Sequence, residues 1–167
     1  LYGSKYRYKL DLQREPGQQC AVTALTLNPD KYPEDARLAV GACGGVWHRR
    51  LHGKPFLFFP DMNGGNLFIY RFDPEHEGEI AVPCGQFSTK DLWIDANGNG
   101  RREADEVTPH STGETRGWHV DEQGNLWQAT RSAGIFEYPL SGVSDQGLPQ
   151  YSISTRRSFP MPAPFTE

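Results

Sequence analysis

The chain has 167 residues and a formal net charge of −4, so it is long enough for one domain with a real core but lacks the basic surface of a nucleic-acid-binding protein. Its apolar runs are short, which predicts no membrane-spanning helix. Aromatic residues make up 12 % of the sequence, and 18 glycines and 13 prolines interrupt it often. This mixture favours an all-β protein of short antiparallel strands joined by turns.

Short apolar and aromatic segments recur along the chain and are predicted as strands. In chain order they are residues 6–13, 20–27, 37–42, 56–59, 66–72, 92–95 and 134–140. A hairpin is predicted over 117–130, turning at 122–124, and one helical turn over 102–106. Proline density over 158–167 predicts an extended tail, which leaves 1–157 as the folded module.

The cellular compartment is indicated only weakly by the chain start and the cysteines. The sequence begins at Leu1 without a methionine or an apolar signal segment, so we expect a processed or partial chain. Cys20, Cys43 and Cys84 are compatible with one disulfide plus a free thiol in an oxidising compartment. Three reduced thiols are equally compatible with the sequence.

Two stretches of the sequence are similar to each other. Residues 60–70 (PDMNGGNLFIY) and 120–130 (VDEQGNLWQAT) share an aspartate, a polar turn, Gly-Asn-Leu and an aromatic residue. The pair Trp-His also recurs, at 47–48 and 118–119, but with an offset nearer seventy than sixty residues, so the register stays open. A true repeat predicts propeller blades at about 37–72 and 90–140. The alternative is that aromatic strands with Asn-Gly turns look alike in any all-β protein.

Residues 116–142 (RGWHVDEQGNLWQATRSAGIFEYPLSG) resemble one blade of an NHL-type or gluconolactonase-like β-propeller. The matching positions, in order, are Asp121, Gly124, Asn125, Leu126, Trp127, Ile135 and Phe136. The resemblance implies blade-like strands. Four aromatic residues each lie in a short apolar strand beside a turn and are therefore predicted in the cores of blade strands: Trp93, Trp118, Trp127 and Phe136. Because a propeller normally has four or more blades, the resemblance also implies an incomplete propeller or a fragment of a larger one. We therefore expect further blades or a partner protein to cover aromatic residues such as Phe58 and Phe68.

The segment 95–106 (DANGNGRREADE) has the pattern of a twelve-residue calcium loop. Calcium takes six to eight oxygen ligands, supplied from positions 1, 3, 5, 7 and 12 around a glycine at position 6. The candidate ligands are Asp95, Asn97, Asn99, the main-chain carbonyl of Arg101, and Glu106, with Gly100 at the turn and Glu103 acting through water at position 9.

The flanks of this loop differ from those of a paired EF-hand. Residues 88–94 are strand-like, and no second loop is present, so the pattern resembles an EF-hand-like, dockerin-type loop inserted in a β-hairpin. Arg101 and Arg102 should keep its calcium affinity modest, in roughly the 10⁻⁵ to 10⁻³ M range. The alternative is an Asn-Gly turn that needs no metal.

Histidines are weaker candidates for a site. His48 and His52 have a metal-ligand spacing only on a helix, which Gly53 and Pro55 disfavour. His48 and His119 each follow a tryptophan and could face a common cleft if the repeat is real, although a hydrogen-bonding core role is the simpler interpretation.

Two classes of function fit these observations. The first is a calcium-stabilised, extracellular or periplasmic β module that binds or scaffolds a partner, without catalysis by this chain alone. The second is part of a propeller enzyme, lactonase-, lyase- or quinoprotein-like, that acts on a small substrate. A contiguous calcium loop favours the first, because gluconolactonase-like enzymes hold their ion with side chains from several blades.

Overall fold

The computed structural model describes residues 2–3 and 5–161 and confirms an all-β chain of antiparallel sheets. The strands in the described residues are β1 Tyr6–Leu10, β2 Cys20–Leu25, β3 Trp47–Leu51, β4 Lys54–Pro60, β5 Leu67–Arg71, β6 Val82–Phe87, β7 Asp91–Ile94, β8 Val107–Pro109, β9 Thr115–Val120, β10 Leu126–Thr130, β11 Ile135–Tyr138, β12 Gly142–Val143, β13 Pro149–Gln150 and β14 Arg157–Phe159. Three short 3₁₀ turns lie at Ala36–Ala39, Ala104–Glu106 and Ile153–Thr155.

Two antiparallel sheets form the body of the molecule. Strands β3 to β8 make a six-stranded meander in sequence order, and β14, β11, β10 and β9 make a four-stranded sheet in that order. Two small hairpins, β1–β2 and β12–β13, complete the described strands. The two large sheets do not close into a ring within 2–3 and 5–161, which is consistent with the predicted incomplete, propeller-like arrangement.

Strand β4 is buried on both faces, which explains its unbroken apolar run. Because successive side chains point to opposite faces, Phe56 and Phe58 enter a cluster shared with the four-stranded sheet, including Trp118. Leu57 and Phe59 enter a second cluster, which Ala24 of β2 and residues between 36 and 46 help to cover. The six-stranded sheet is therefore the middle layer of the fold.

The turns of the two similar stretches, 61–66 and 121–125, have similar hydrogen bonds, although the first is one residue longer. Asp61 accepts hydrogen bonds from the main chain of Gly65 at 3.0 Å and the amide of Asn66 at 2.6 Å. Asp121 accepts from both the main chain and the amide of Asn125, at 2.8 and 2.9 Å. The β4–β5 and β9–β10 hairpins therefore correspond, with an offset of about sixty residues.

The two Trp-His pairs do not correspond. Trp47 and His48 lie in β3, whereas Trp118 and His119 lie in β9, which is the counterpart of β4. The predicted unit at 90–140 also contains strands of both sheets, since β7 and β8 belong to the six-stranded sheet and β9 to β11 to the other.

The predicted strand over residues 37–42 is wrong, because Ala36–Ala39 forms a 3₁₀ turn there. The carboxylate of Asp35 caps the turn by accepting a hydrogen bond from the main chain of Arg37 at 2.9 Å. The Arg37 side chain is buried, its guanidinium lying 3.9 Å from the ring centre of Phe59 and 4.4 Å from that of Tyr70. Capping and this cation–π packing outweigh the apolar pattern of the segment.

The tail prediction over 158–167 is only partly open to comparison. Ser158 and Phe159 belong to β14, which pairs with β11, and Phe159 stacks on Trp127 with ring centres 5.8 Å apart. Residues 162–167 lie outside the described part of the chain.

The aromatic residues expected to need outside cover are buried by the chain itself. Phe58 and Phe68 are 0 % and 3 % exposed, and Trp93 and Trp118 are 5 % and 8 % exposed. Phe136 is also buried, while Trp127 is half-buried. The prediction that these side chains need a partner to cover them is therefore wrong, and the existence of a partner stays a prediction on other grounds.

No helix among the described residues is long and apolar enough to cross a membrane. The three cysteines are free thiols, exposed at Cys20, half-buried at Cys43 and buried at Cys84. Burial raises the pKa of the Cys43 thiol, although the nearby Arg37 opposes the shift.

Candidate metal centre

The loop 95–106 connects two paired strands, as the sequence predicts. Strands β7 and β8 are antiparallel, with Trp93 opposite Val107, so the loop closes a β-hairpin rather than joining two helices. Its last residues form the 3₁₀ turn Ala104–Glu106, inside the predicted helical turn at 102–106. The loop is thus held at both ends by the edge of the six-stranded sheet.

Asp95 is at the centre of the first half of the loop. Its side chain is buried, and its two carboxylate oxygens accept hydrogen bonds from the main chain of Gly98 at 2.8 Å and of Gly100 at 2.9 Å. Burial raises the pKa of this carboxyl group even though these N–H groups oppose the shift, and the charge of Glu106 raises it further. A cation beside Asp95 would relieve that cost.

The two asparagines continue the same folding pattern. The side-chain oxygen of Asn97 accepts from the main chain of Asn99 at 3.0 Å, and that of Asn99 accepts from the main chain of Arg101 at 2.7 Å. Each amide oxygen has two lone pairs and keeps one free for another partner. The amide nitrogens of both asparagines donate to Glu103, at 2.5 and 3.4 Å.

Glu106 already has protein partners at both of its oxygens. One oxygen accepts from the main chain of Ala96 at 2.8 Å and of Asn97 at 3.3 Å, and the other accepts from the indole nitrogen of Trp93 at 2.9 Å. The carboxylate therefore closes the loop across its ends. The sequence contains no pattern that identifies the Trp93 contact, because it depends on the pairing of β7 with β8.

The residues of the loop fit a hard cation in type and order. Carboxylate, amide and main-chain oxygens are the ligands that calcium prefers, and residues 95–101 are already folded into successive turns. Among the proposed ligands, Glu106 has the least free capacity to bind a cation, because about three of its roughly four lone-pair sites already accept hydrogen bonds. Among the described residues no cluster of three or more His, Cys, Asp and Glu side chains is placed to hold a metal. The proposed calcium ligands would not count as such a cluster, because only Asp95 and Glu106 are acidic and the other ligands are amide or main-chain oxygens.

Arg102 anchors the loop to the sheet. Its guanidinium donates to the side-chain oxygen of Gln86 at 2.8 Å and to the carboxylate of Asp91 at 2.7 Å. The amide of Gln86 donates to Asn66 at 3.0 Å, and Asn66 belongs to the Asp61 turn. A continuous hydrogen-bonded network thus joins the candidate calcium loop to the first of the two similar turns.

The histidines do not form a site together. His52 is in the β3–β4 turn, where its φ is +48°, and not on a helix with His48. The ring of His48 packs against Tyr2 at 5.8 Å, and that of His119 packs against Trp47 at 6.0 Å. Burial lowers the pKa of His48, and nearby arginines lower it further. The two rings have separate aromatic partners.

No known protein family, curated protein or solved structure matches this chain. The resemblance to NHL-type and gluconolactonase-like blades and to dockerin-type loops therefore stays a prediction from the sequence.

Proposed function

We propose that the chain is a calcium-stabilised β-propeller-like module of an extracytoplasmic protein, and that it acts in binding or scaffolding rather than catalysis. Its one Ca²⁺ would be held by Asp95, Asn97, Asn99, the main-chain carbonyl of Arg101, and Glu106. When bound, the ion supplies positive charge that offsets the carboxylates of the loop. The role of the ion is structural in this proposal, because all of its ligands belong to one hairpin.

The observation that carries the proposal is the buried carboxylate of Asp95 inside a loop that is already wound. Residues 95–101 are fixed by main-chain N–H groups that donate to Asp95, Asn97 and Asn99. The main-chain N–H groups offset only part of the cost of burying this carboxylate, because a buried charge needs an opposite charge as well as hydrogen bonds. Calcium would supply that opposite charge.

The test is calcium-dependent stability. Ligand linkage predicts stabilisation of RT ln(1 + [Ca]/Kd), about 2.7 kcal/mol when calcium is in hundredfold excess over Kd. The melting temperature should therefore rise in ~10 mM calcium and much less in ~10 mM magnesium, because Mg²⁺ demands a tighter octahedral site. The variant Asp95→Ala/Glu106→Ala should lose the rise.

The matched control removes two exposed carboxylates elsewhere. Glu75→Ala/Glu122→Ala has the same change of charge but lies outside the loop, where both side chains are exposed. It should keep the calcium-dependent rise. If the native chain shows no rise, or the control loses it equally, the calcium proposal is wrong.

The binding role is supported by the hairpin β1–β2. Leu10, Leu12 and Val22 are 49 %, 77 % and 57 % exposed, and a two-stranded hairpin is marginally stable by itself in water. An exposed apolar group of this kind is typical of a surface that contacts more protein. The partner would be further blades or another protein.

Sedimentation velocity of the chain should show association that the double substitution Leu12→Ser/Val22→Thr weakens. A monomer at every concentration would count against this role.

A further inference from the structure

A cleft lies next to the candidate calcium loop and shares Arg101 with the proposed ligand set. Its volume is about 110 Å³, and it is open at its mouth. That is near the size of a cavity of about 150 Å³ that accepts benzene, so it has room for one aromatic ring whose polar end stays at the mouth. Its apolar lining includes Phe68, Tyr70 and Trp93, each no more than 5 % exposed. These three side chains form the aromatic floor of the cleft, which is rigid because they are packed in place, and only small parts of their rings face the cleft.

The two remaining parts of the lining have opposite charges. Residues 32–36 contribute Glu34 and Asp35, and the calcium loop contributes Arg101 and Arg102. The two segments touch, because Tyr32 packs so closely on Gly100 that an added Cβ would lie 2.7 Å from its ring. Acidic and basic side chains thus line one cleft from two segments.

The charged groups nearest the aromatic floor are held in place by neighbours. The hydroxyl of Tyr70 donates to both oxygens of Asp35, at 2.9 and 2.7 Å. Burial raises the pKa of Tyr70 well above its usual value, so this hydroxyl keeps its proton. Arg102 is fixed by Gln86 and Asp91 as described above. Such pre-organised groups lose little entropy when a ligand binds.

The opposite charges of the cleft do not neutralise each other. Among the described residues no ion pair joins Glu34 or Asp35 to Arg101 or Arg102; the ion pair of Arg102 is with Asp91. Glu34 and Arg101 are exposed and line the same cleft, so their opposite charges are complementary to a ligand that carries both. A purely cationic or purely anionic ligand would satisfy one segment and meet repulsion from the other.

We propose that this cleft binds a small zwitterionic ligand with an apolar body, of the free aromatic amino acid class. The ligand's ammonium group would face Glu34 and Asp35, its carboxylate would face Arg101 and Arg102, and its body would lie on the aromatic floor. This inference rests on the proposed function, since it gives the binding module a ligand class.

The test uses L-phenylalanine as the probe, with two analogues that each lack one charge. Phenethylamine lacks the carboxylate, and 3-phenylpropionate lacks the ammonium group. Binding to the full chain in saturating calcium is followed by chemical-shift changes of the Tyr70 and Trp93 side chains. We expect L-phenylalanine to bind about tenfold or more tightly than either analogue.

Two exposed charges give matched variants that should leave the fold intact. Glu34→Gln should weaken L-phenylalanine and phenethylamine but not 3-phenylpropionate. Arg101→Gln should weaken L-phenylalanine and 3-phenylpropionate but not phenethylamine. Glu75→Gln, outside the cleft, should change none of the three.

Several results would overturn the inference. They are no shift at Tyr70 and Trp93 with ~10 mM L-phenylalanine, equal binding of all three compounds, and tighter binding of the uncharged sugar glucose. The calcium-dependent rise in melting temperature is measured separately in the same preparation. If that rise is present while L-phenylalanine does not bind, the ligand inference fails and the calcium proposal stands.

Discussion

The indole nitrogen of Trp93 donates a 2.9 Å hydrogen bond to the carboxylate of Glu106, thirteen residues further along the chain. Trp93 belongs to β7 and is also part of the aromatic floor of the cleft. Glu106 is the last residue of the candidate calcium loop. One side chain therefore connects the loop that is proposed to hold the ion with the surface that is proposed to hold the ligand.

The substitution Glu106→Gln tests this connection. Glutamine can still accept the main-chain N–H groups of Ala96 and Asn97 through its oxygen, but its NH₂ group would then face the indole N–H of Trp93. Two donors facing each other should cost about 1–3 kcal/mol in the free energy of unfolding. Urea unfolding in a chelator measures this loss without calcium, and Trp93 fluorescence should change as well.

Glu103→Gln is the matched control for this substitution. Glu103 is an exposed acid of the same loop, and its carboxylate accepts from the side-chain amides of Asn97 and Asn99. Its change to glutamine should cost less than about 1 kcal/mol, as surface substitutions usually do. Equal losses for the two variants would show that the Trp93 contact does not stabilise the fold.

Substitutions at two glycines of the loop distinguish the destabilisation caused by backbone strain from that caused by steric contact. Gly98 and Gly100 have φ of +80° and +75°, a region that costs other residues about 1–2 kcal/mol. A Cβ on Gly98 would meet its nearest atoms at 4.0 Å, whereas one on Gly100 would meet Tyr32 at 2.7 Å and Val82 at 3.1 Å. Gly98→Ala should therefore lower the free energy of unfolding through backbone strain alone. Gly100→Ala should lower it by about a further 1–3 kcal/mol through overpacking.

Removing the Tyr32 ring should relieve the steric part of the destabilisation by Gly100→Ala. In a Tyr32→Ala background, the additional cost of Gly100→Ala should fall toward that of Gly98→Ala, as measured by chemical unfolding of all four variants. A cost that is the same in both backgrounds would mean that residues 32–36 do not pack on the loop in solution.

The sequence predicted those parts of the fold that depend on local pattern. The strands around Phe58, Leu67 and Leu126 are amphipathic or wholly apolar, and the Asp-Gly-Asn turns are marked by glycines that adopt positive φ, as at Gly124. The position of loop 95–106 between two paired strands could be predicted because its pattern is contiguous, while calcium binding stays a prediction. Such features need no knowledge of distant residues.

The parts that the sequence did not predict depend on tertiary contacts. Strand β6 contains Pro83 and Gly85, which disfavour a central strand, yet it pairs with β5 and β7 because both of its faces are buried. The segment at Arg37 has a strand-like pattern but turns because its guanidinium packs against the rings of Phe59 and Tyr70. The cleft could not be predicted at all, since its two charged segments are nearly seventy residues apart.

The substitution Phe58→Ala tests whether the face between the two large sheets is the main core. Phe58 is 0 % exposed and packs in the cluster that includes Trp118. Removing a buried phenylalanine side chain should cost about 3–5 kcal/mol. Met62, two residues beyond the end of β4, is 67 % exposed, so Met62→Ala should change the free energy of unfolding by no more than about 0.5 kcal/mol. A small loss for Phe58→Ala would show that the sheets do not pack as described.

The free energy of unfolding should depend on pH through Asp121, which belongs to the second of the two similar turns. Partial burial tends to raise the pKa of Asp121, but hydrogen bonds from Trp127 and Asn125 outweigh it and hold the pKa below its usual value. A carboxyl group whose pKa is lower when folded than when unfolded stabilises the protein above the unfolded pKa of about 3.9. That contribution is lost as the pH falls through the folded pKa.

The variant Asp121→Asn keeps the size of the side chain but removes the charge. At pH 7 it should be less stable than the native chain by about 1–3 kcal/mol, the usual value of hydrogen bonds to a charged group. Because native Asp121 becomes neutral in acid, the difference should shrink as the pH falls below about 4. Trp127→Phe, which removes one donor, should move the native titration of Asp121 upward in an NMR measurement. A difference in stability that is constant from pH 7 into acid would mean that the charge of Asp121 does not hold this turn.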